Sequence, residues 1–327
     1  MSSRRHIAAA TTLVTAMLGV GAVVANKPYL LVRAQFERQR VNAGLDEAAV
    51  GVGDHRIVYA FSNDAPAGAP TLVMLHGFTG SKENWYPVAE RLRGRYRLLI
   101  LDLPGWGESE RKPGADYGFV AQSERVAAFI DQVARRRGKR PGEIVLLGHS
   151  MGGGIAALTA ARHPQLVDRV GLLNAAGVRF TENQFGLDVL AGKNPFSVDD
   201  RDSLRRYIDT VFHRDEAKPW IPWPASRGLI AYRRDAAPFE QSVLDSIGRG
   251  PESFAPGEAA AAIAQPVLLL SGRQDAVIDA SAMDIYAERI PQATKVLLDD
   301  CGHMSLVEQP AAVTDAVHML IQRGQSR

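Results

Sequence analysis

Ile144-Val145-Leu146-Leu147-Gly148-His149-Ser150-Met151-Gly152-Gly153-Gly154 is the stretch that decides the fold. Four apolar residues bounded by turn formers read as a buried strand. The run from Met151 to Arg162 reads as a helix that ends before His163-Pro164. Between them lies Gly-x-Ser-x-Gly. Placed where a strand gives way to a helix, this pattern predicts a sharp turn that holds Ser150 as an exposed nucleophile. Gly148 and Gly152 let the two backbones approach closely. The N-terminus of the helix then aims its dipole and free N–H groups at Ser150.

Outward from this turn, strands and helices alternate. Strands are expected at Arg56–Phe61, Thr71–Leu75, Tyr96–Asp102, Glu143–Gly148 and Val167–Leu173, with helices at Glu83–Arg93 and Ala121–Arg137. Such a rhythm predicts a mostly parallel sheet covered by helices on both faces. It breaks over 178–262, a stretch with Pro195, Pro219, Pro222, Pro224 and Pro238 and three charge-rich helical runs. It resumes with a strand at Val267–Ser271, a helix at Ala280–Ile290, a strand at Lys295–Leu298 and a closing helix at Pro310–Arg323. The sequence therefore divides into a core of 51–177 and 263–327 and a cap of 178–262 inserted before the last two strands. The aromatic residues of the cap, Phe180, Phe185, Phe196, Phe212, Trp220 and Trp223, are expected either to line an acyl pocket or to pack the lid itself.

A serine hydroxyl needs a base to become a nucleophile. After Ser150 the histidines are His163, His213, His303 and His318. His163 closes a helix, His213 lies in the cap and His318 in the final helix. His303 sits in a loop directly after the last strand, at the sheet edge where ligands gather in such folds. It is the expected base. The acid should follow the preceding strand, and Asp275 in Ser271-Gly272-Arg273-Gln274-Asp275 does so. Asp279 is a nearby competitor, whereas Asp299 and Asp300 sit too close to the strand end. The acid holds the imidazole tautomer and stabilises the imidazolium. For an oxyanion, the backbone N–H groups of Met151 and Phe78 are the expected donors. Phe78 lies in His76-Gly77-Phe78-Thr79-Gly80, directly after the strand Thr71–Leu75. His76 is expected to brace that loop.

Taken together, these motifs resemble the α/β-hydrolase superfamily from about Arg56 to Arg323, with Asp102-Leu103-Pro104-Gly105-Trp106-Gly107-Glu108-Ser109 falling in the family's order. More narrowly, the chain resembles bacterial family V lipases and membrane-bound monoacylglycerol lipases. The features behind this are Lys82-Glu83-Asn84-Trp85, Asn174-Ala175-Ala176-Gly177, Asn194-Pro195-Phe196 and an apolar N-terminus. The resemblance implies hydrolysis of carboxylic esters, with acylglycerols as substrates and a structural role for Asp102. His149 before the serine is shared by many branches and does not select lipases. The same triad also serves thioesterases and hydrolases of carbon–carbon bonds, and a non-catalytic receptor on this fold is a third reading.

The 327 residues are 46% hydrophobic and 23% charged, with a net charge of +2. The charge gives no argument for a nucleic-acid partner. Cys301 is the single cysteine, so an intramolecular disulfide is excluded. No metal or cofactor is implied by a triad mechanism. Arg4 and Arg5 precede an uncharged run from Ile7 to Asn26, so residues 1–28 read as a signal peptide or membrane anchor with the remainder exported. Residues 29–50 read as a linker helix. The basic run Arg135 to Arg140 reads as a solvated helix end or a contact to anionic lipid.

Overall fold

A computed structural model describes residues 26–135 and 142–323 of the chain. Its centre is an eight-stranded sheet of β1 (Asp46–Val52), β2 (His55–Phe61), β3 (Thr71–Leu75), β4 (Arg97–Leu101), β5 (Ile144–His149), β6 (Arg169–Leu173), β7 (Val267–Gly272) and β8 (Thr294–Leu298). The order across the sheet is β1-β2-β4-β3-β5-β6-β7-β8. Only the β1–β2 and β2–β4 pairs are antiparallel. The sheet is thus mostly parallel, as expected. Strands β3, β5, β6 and β7 are buried along their whole length, which is why they read as unbroken apolar runs.

Alternate residues of these strands feed two cores. Val73, Leu75, Leu146 and Leu269 pack on one face, together with α3 (Phe119–Phe129) and α4 (Met151–Arg162). Leu72, Met74, Val145 and Leu268 pack on the other, against α2 (Tyr86–Leu92) and the closing helix α11 (Pro310–Gln322). Between β6 and β7 stand the helices α5 (Gln184–Leu190), α6 (Arg201–Val211), α7 (Ala225–Arg249) and the short α8 (Ala255–Ala259). After β7 come α9 (Ser281–Arg289) and the short α10 (Ser305–Glu308).

Two expectations need correction. The linker helix expected over 29–50 is helical only as α1 (Tyr29–Asn42); Gly44 then turns at φ +64° and Asp46–Val52 pairs with β2 as the edge strand. Edge strands keep one face wet, so the charges of Asp46 and Glu47 are tolerated there. The long helix expected over Ala121–Arg137 begins earlier, at Phe119, and loses α-helical geometry at Ile130. The apolar run from Ile7 lies outside the described residues, except for Asn26, and so do residues 136–140 of the basic run. Among the described residues no helix is long and apolar enough to cross a membrane.

Helix α1 packs along α7 of the cap. The Tyr29 and Tyr232 rings stack at 4.5 Å with planes 5° apart. Arg33 reaches Glu108 at 2.5 Å. Glu108 belongs to a cluster around the buried Lys82 ammonium, which also meets Asp102 at 2.9 Å and Glu83 at 3.1 Å. Burial opposes that charge, but the carboxylates of Asp102 and Glu83 outweigh it and hold the ammonium above its ordinary range. Asp102 is therefore occupied structurally, as the resemblance implied.

Candidate active site

Ser150 occupies the turn between β5 and α4 at φ 56° and ψ −120°. A non-glycine residue rarely adopts this conformation, and it is held from both sides. The Ser150 N–H donates to the Leu173 carbonyl at 2.9 Å, and the Ser150 carbonyl accepts from the N–H groups of Gly153 and Ala176. The neighbours must be small. A Cβ on Gly148 would stand 2.0 Å from the Gly152 carbonyl oxygen, and one on Gly152 would stand 2.5 Å from that of His76.

The three expected side chains meet at the C-terminal edge of the sheet. His303 Nε2 lies 2.9 Å from Ser150 Oγ, and His303 Nδ1 lies 2.8 Å from Asp275 Oδ2. All three residues are buried. Asp275 is saturated with donors. Its Oδ1 accepts the N–H groups of Val277 and Ile278 at 2.8 and 2.9 Å, and its Oδ2 also accepts Asn174 Nδ2 at 2.8 Å. The carboxylate is thereby fixed in the plane that serves His303. The competitors are engaged elsewhere. Asp279 accepts from the Ser281 N–H, Asp299 pairs with Arg273, and Asp300 lies 3.3 Å from His213. His163 meets Glu124 and His318 meets Tyr96.

The expected oxyanion donors flank the serine. Neither the Phe78 nor the Met151 N–H is bonded to a protein acceptor among the described residues. The loop carrying Phe78 presses against the nucleophile: a Cβ on Gly77 would sit 3.0 Å from Ser150 Cβ. His76 braces this loop as expected, since its Nδ1 meets the Gly77 carbonyl at 2.7 Å and its Nε2 accepts the Leu103 N–H at 3.0 Å. Complete burial lowers its pKa to about 4, so the ring is neutral near pH 7.

Four further residues support the triad. Asn174, at φ 47°, donates to Asp275 while its Oδ1 accepts the Ser305 hydroxyl at 2.7 Å. His149 Nε2 donates to the His303 carbonyl at 2.7 Å. Burial, and the nearby His303, push the His149 pKa down to about 3, which keeps that ring neutral too. Glu308 accepts the N–H groups of Gly302, His213 and Arg214 at 2.9 to 3.1 Å, tying the histidine loop to the end of α6. None of these four carries a local sequence signal for its role. Asn174 opens the Asn-Ala-Ala-Gly run and His149 stands beside the serine, but their partners come from distant loops.

Ser150 and Met151 open onto a cavity of about 430 Å³ whose walls include Phe78, Val178, Phe180, Phe185, Val189, Phe196 and Ile247. Three of the expected cap aromatics thus face it. The other three do not. Phe212 is buried in the core, and Trp220 and Trp223 are 87% and 70% exposed. A smaller space of about 40 Å³ adjoins His303, Met304, Tyr207 and Thr79 on the other side of the serine. A groove of about 510 Å³ between Arg111–Gly118 and α7 contains no triad member. Cys301 is buried, which pushes its thiol up to about 12 and removes it as a nucleophile. Among the described residues no cluster of His, Cys, Asp or Glu is placed to hold a metal ion.

The arrangement can deprotonate Ser150 through His303, hold a negatively charged oxygen between two amides, and accommodate an apolar chain in the cap. A family model described as the alpha/beta hydrolase fold matches residues 70–310. "Lipase 3" of Moraxella sp. (strain TA144) is 30% identical over 284 residues, covering 84% of this chain and 83% of its own. The monoacylglycerol lipase ABHD6 of Rattus norvegicus is 26% identical, covering 86% and 84%. A crystal structure of a membrane phospholipase A, described as a bacterial virulence factor, superposes with a TM-score of 0.83 at 31% identity, covering 97% of this chain and 98% of that one.

Proposed function

The chain belongs to the α/β-hydrolase family, and from that premise we propose that it is a serine hydrolase of carboxylic esters, with acylglycerols as its substrate class. The observation that carries this is the chain of contacts from Ser150 Oγ to His303 to Asp275 at the wall of an apolar cavity. Ser150 Oγ attacks the ester carbonyl while His303 Nε2 takes its proton. The carbonyl oxygen, now negative, accepts the N–H groups of Phe78 and Met151. Asp275 stabilises the imidazolium. The tetrahedral intermediate collapses, the ester C–O bond breaks, and His303 returns the proton to the departing alcohol. The acyl group, now on Ser150, lies in the cavity walled by Phe180, Phe185 and Val189. Water, deprotonated by His303, then attacks the acyl carbon and releases the carboxylic acid.

Lipid esters are favoured by the apolar walls and by the lipases and monoacylglycerol lipases among the relatives. The uncharged run from Ile7 to Asn26 behind Arg4 and Arg5 supports a membrane-anchored enzyme with an exported catalytic domain, or a secreted one if the run is cleaved. The test is hydrolysis of p-nitrophenyl esters and monoacylglycerols of increasing chain length by the wild type and Ser150→Ala. Activity that disappears in the variant and favours long chains or monoacylglycerol is expected. Activity surviving the substitution would refute the assignment, and activity restricted to thioesters or carbon–carbon bonds would redirect it.

A further inference from the structure

Trp220 and Trp223 belong to the loop Lys218-Pro219-Trp220-Ile221-Pro222-Trp223-Pro224, which leads into α7. They are the most exposed large apolar side chains among the described residues, at 87% and 70%, whereas Trp85 and Trp106 are buried. Three prolines fix φ along the loop, so the indoles are displayed by a stiff backbone.

The start of the described chain lies beside this loop. A Cβ on Gly228 would stand 2.2 Å from the Tyr29 backbone nitrogen and 2.5 Å from the Pro28 carbonyl carbon. Gly228 lies in the first turn of α7, five residues after Trp223. The uncharged run from Ile7 to Asn26 therefore joins the molecule at the end of α7 into which the indole-bearing loop leads, and its length matches the ~20 residues of a bilayer span. The charged groups of the loop are already paired. Lys218 meets Asp209 and Asp215, and Arg214 meets Glu216.

We infer that the Lys218–Pro224 loop is a docking surface for the interfacial zone of a lipid bilayer, entered by the indoles of Trp220 and Trp223. Indole favours that zone, where its apolar body is buried and its N–H stays wet. Lys218, the one charged residue of the loop, is paired, so the indoles rather than that charge carry the contact. The surface is separate from the substrate site: α7 has 25 residues, ~37 Å of rise, and the cavity uses Leu244, Ile247 and Arg249 at its far end. The inference rests in part on reading the N-terminal run as a membrane segment.

The test uses the full chain reconstituted in phosphatidylcholine vesicles, with plain or brominated acyl chains, beside the Trp220→Ser/Trp223→Ser variant. Brominated lipid should quench the emission of the wild type and leave that of the variant nearly unchanged. KM for monoacylglycerol presented in vesicles should rise roughly tenfold in the variant, with kcat/KM for a short soluble ester unaltered. Equal quenching in the two proteins would overturn the inference. If the chain floats with vesicles while acrylamide in the water still quenches both indoles, the anchor stands and the docking surface is refuted. A chain that does not float refutes both. Protection of the indoles that grows with protein concentration in lipid-free detergent would give the surface to a second copy of the chain instead.

Discussion

The triad edge of the sheet and the cap above it are built on different physical terms. At the sheet edge almost every polar atom has a fixed partner: Asp275 accepts four hydrogen bonds, and the Ser150 backbone is held by β6 and α4. The cap presents mainly apolar walls to the serine and is tied to the site loops at a few points, among them Glu308, the bond from the Met304 N–H to the Val211 carbonyl, Tyr207 to Thr79, and Asn183 to the Val277 carbonyl. Hydrogen bonds are directional, so one region can fix atoms for chemistry. Apolar burial is not directional, so the other selects by size and shape.

Substitutions can break this contrast, and Ser150→Ala should have the largest effect. It is expected to lower kcat/KM for any ester by about 10⁴-fold or more and to leave the thermal midpoint nearly unchanged, because alanine keeps the Cβ that the turn at φ 56° already accommodates. Steady-state kinetics with a melting curve checks both halves.

Acid should strike the triad region before the cap. An unfolded histidine takes up its proton near pH 6.5, whereas in the fold His76 resists until about pH 4 and His149 until about pH 3. Below pH 6.5 the unfolded chain therefore binds more protons, and stability falls as pH falls. The loss from pH 6.5 to 4 is about 3 kcal/mol for each ring. Melting curves across this window should show the decline, and His149→Gln should flatten it.

Glu308→Ala sharpens the comparison because that carboxylate joins the two regions. Three backbone donors lose their acceptor, at a cost of about 3 kcal/mol in stability. Activity should drop roughly tenfold to a hundredfold, for short and long esters alike, as the His303 loop loosens. A loss confined to long chains would instead place Glu308 with the cap.

The smallest steps belong to the cavity. Each methylene that enters it should raise kcat/KM about fourfold, from about 0.8 kcal/mol of burial, until the walls are reached. Val189→Trp should shorten the chain length at which the series levels off and leave acetate esters unaffected.

The same contrast explains what the sequence could show. The Ser150 turn was legible because backbone crowding at Gly148 and Gly152 writes itself into the residue types. His303 and Asp275 were legible because loops after strands are short and ordered along the chain. Asn174 was not, since its partners Asp275 and Ser305 are distant in sequence and an asparagine after a strand has many uses. Strand β1 was misread because a wet edge strand with Asp46 and Glu47 has the same composition as the end of a charged helix. Trp220 and Trp223 were misassigned for the reason that governs the whole cap: aromatic content reveals that apolar surface is present, but which side of a helix layer it faces is set only by packing.

The apolar cavity has one more consequence, for how turnover ends. Hydrolysis changes the carbonyl and leaves the hydrocarbon tail untouched, so the walls around Phe180, Phe185 and Val189 hold the released fatty acid as firmly as they held the ester. Affinity of this kind is the same before and after reaction. The longer the chain, the slower the exit, and for the longest substrates the enzyme's speed becomes that of emptying its own cavity, with free fatty acid as its inhibitor.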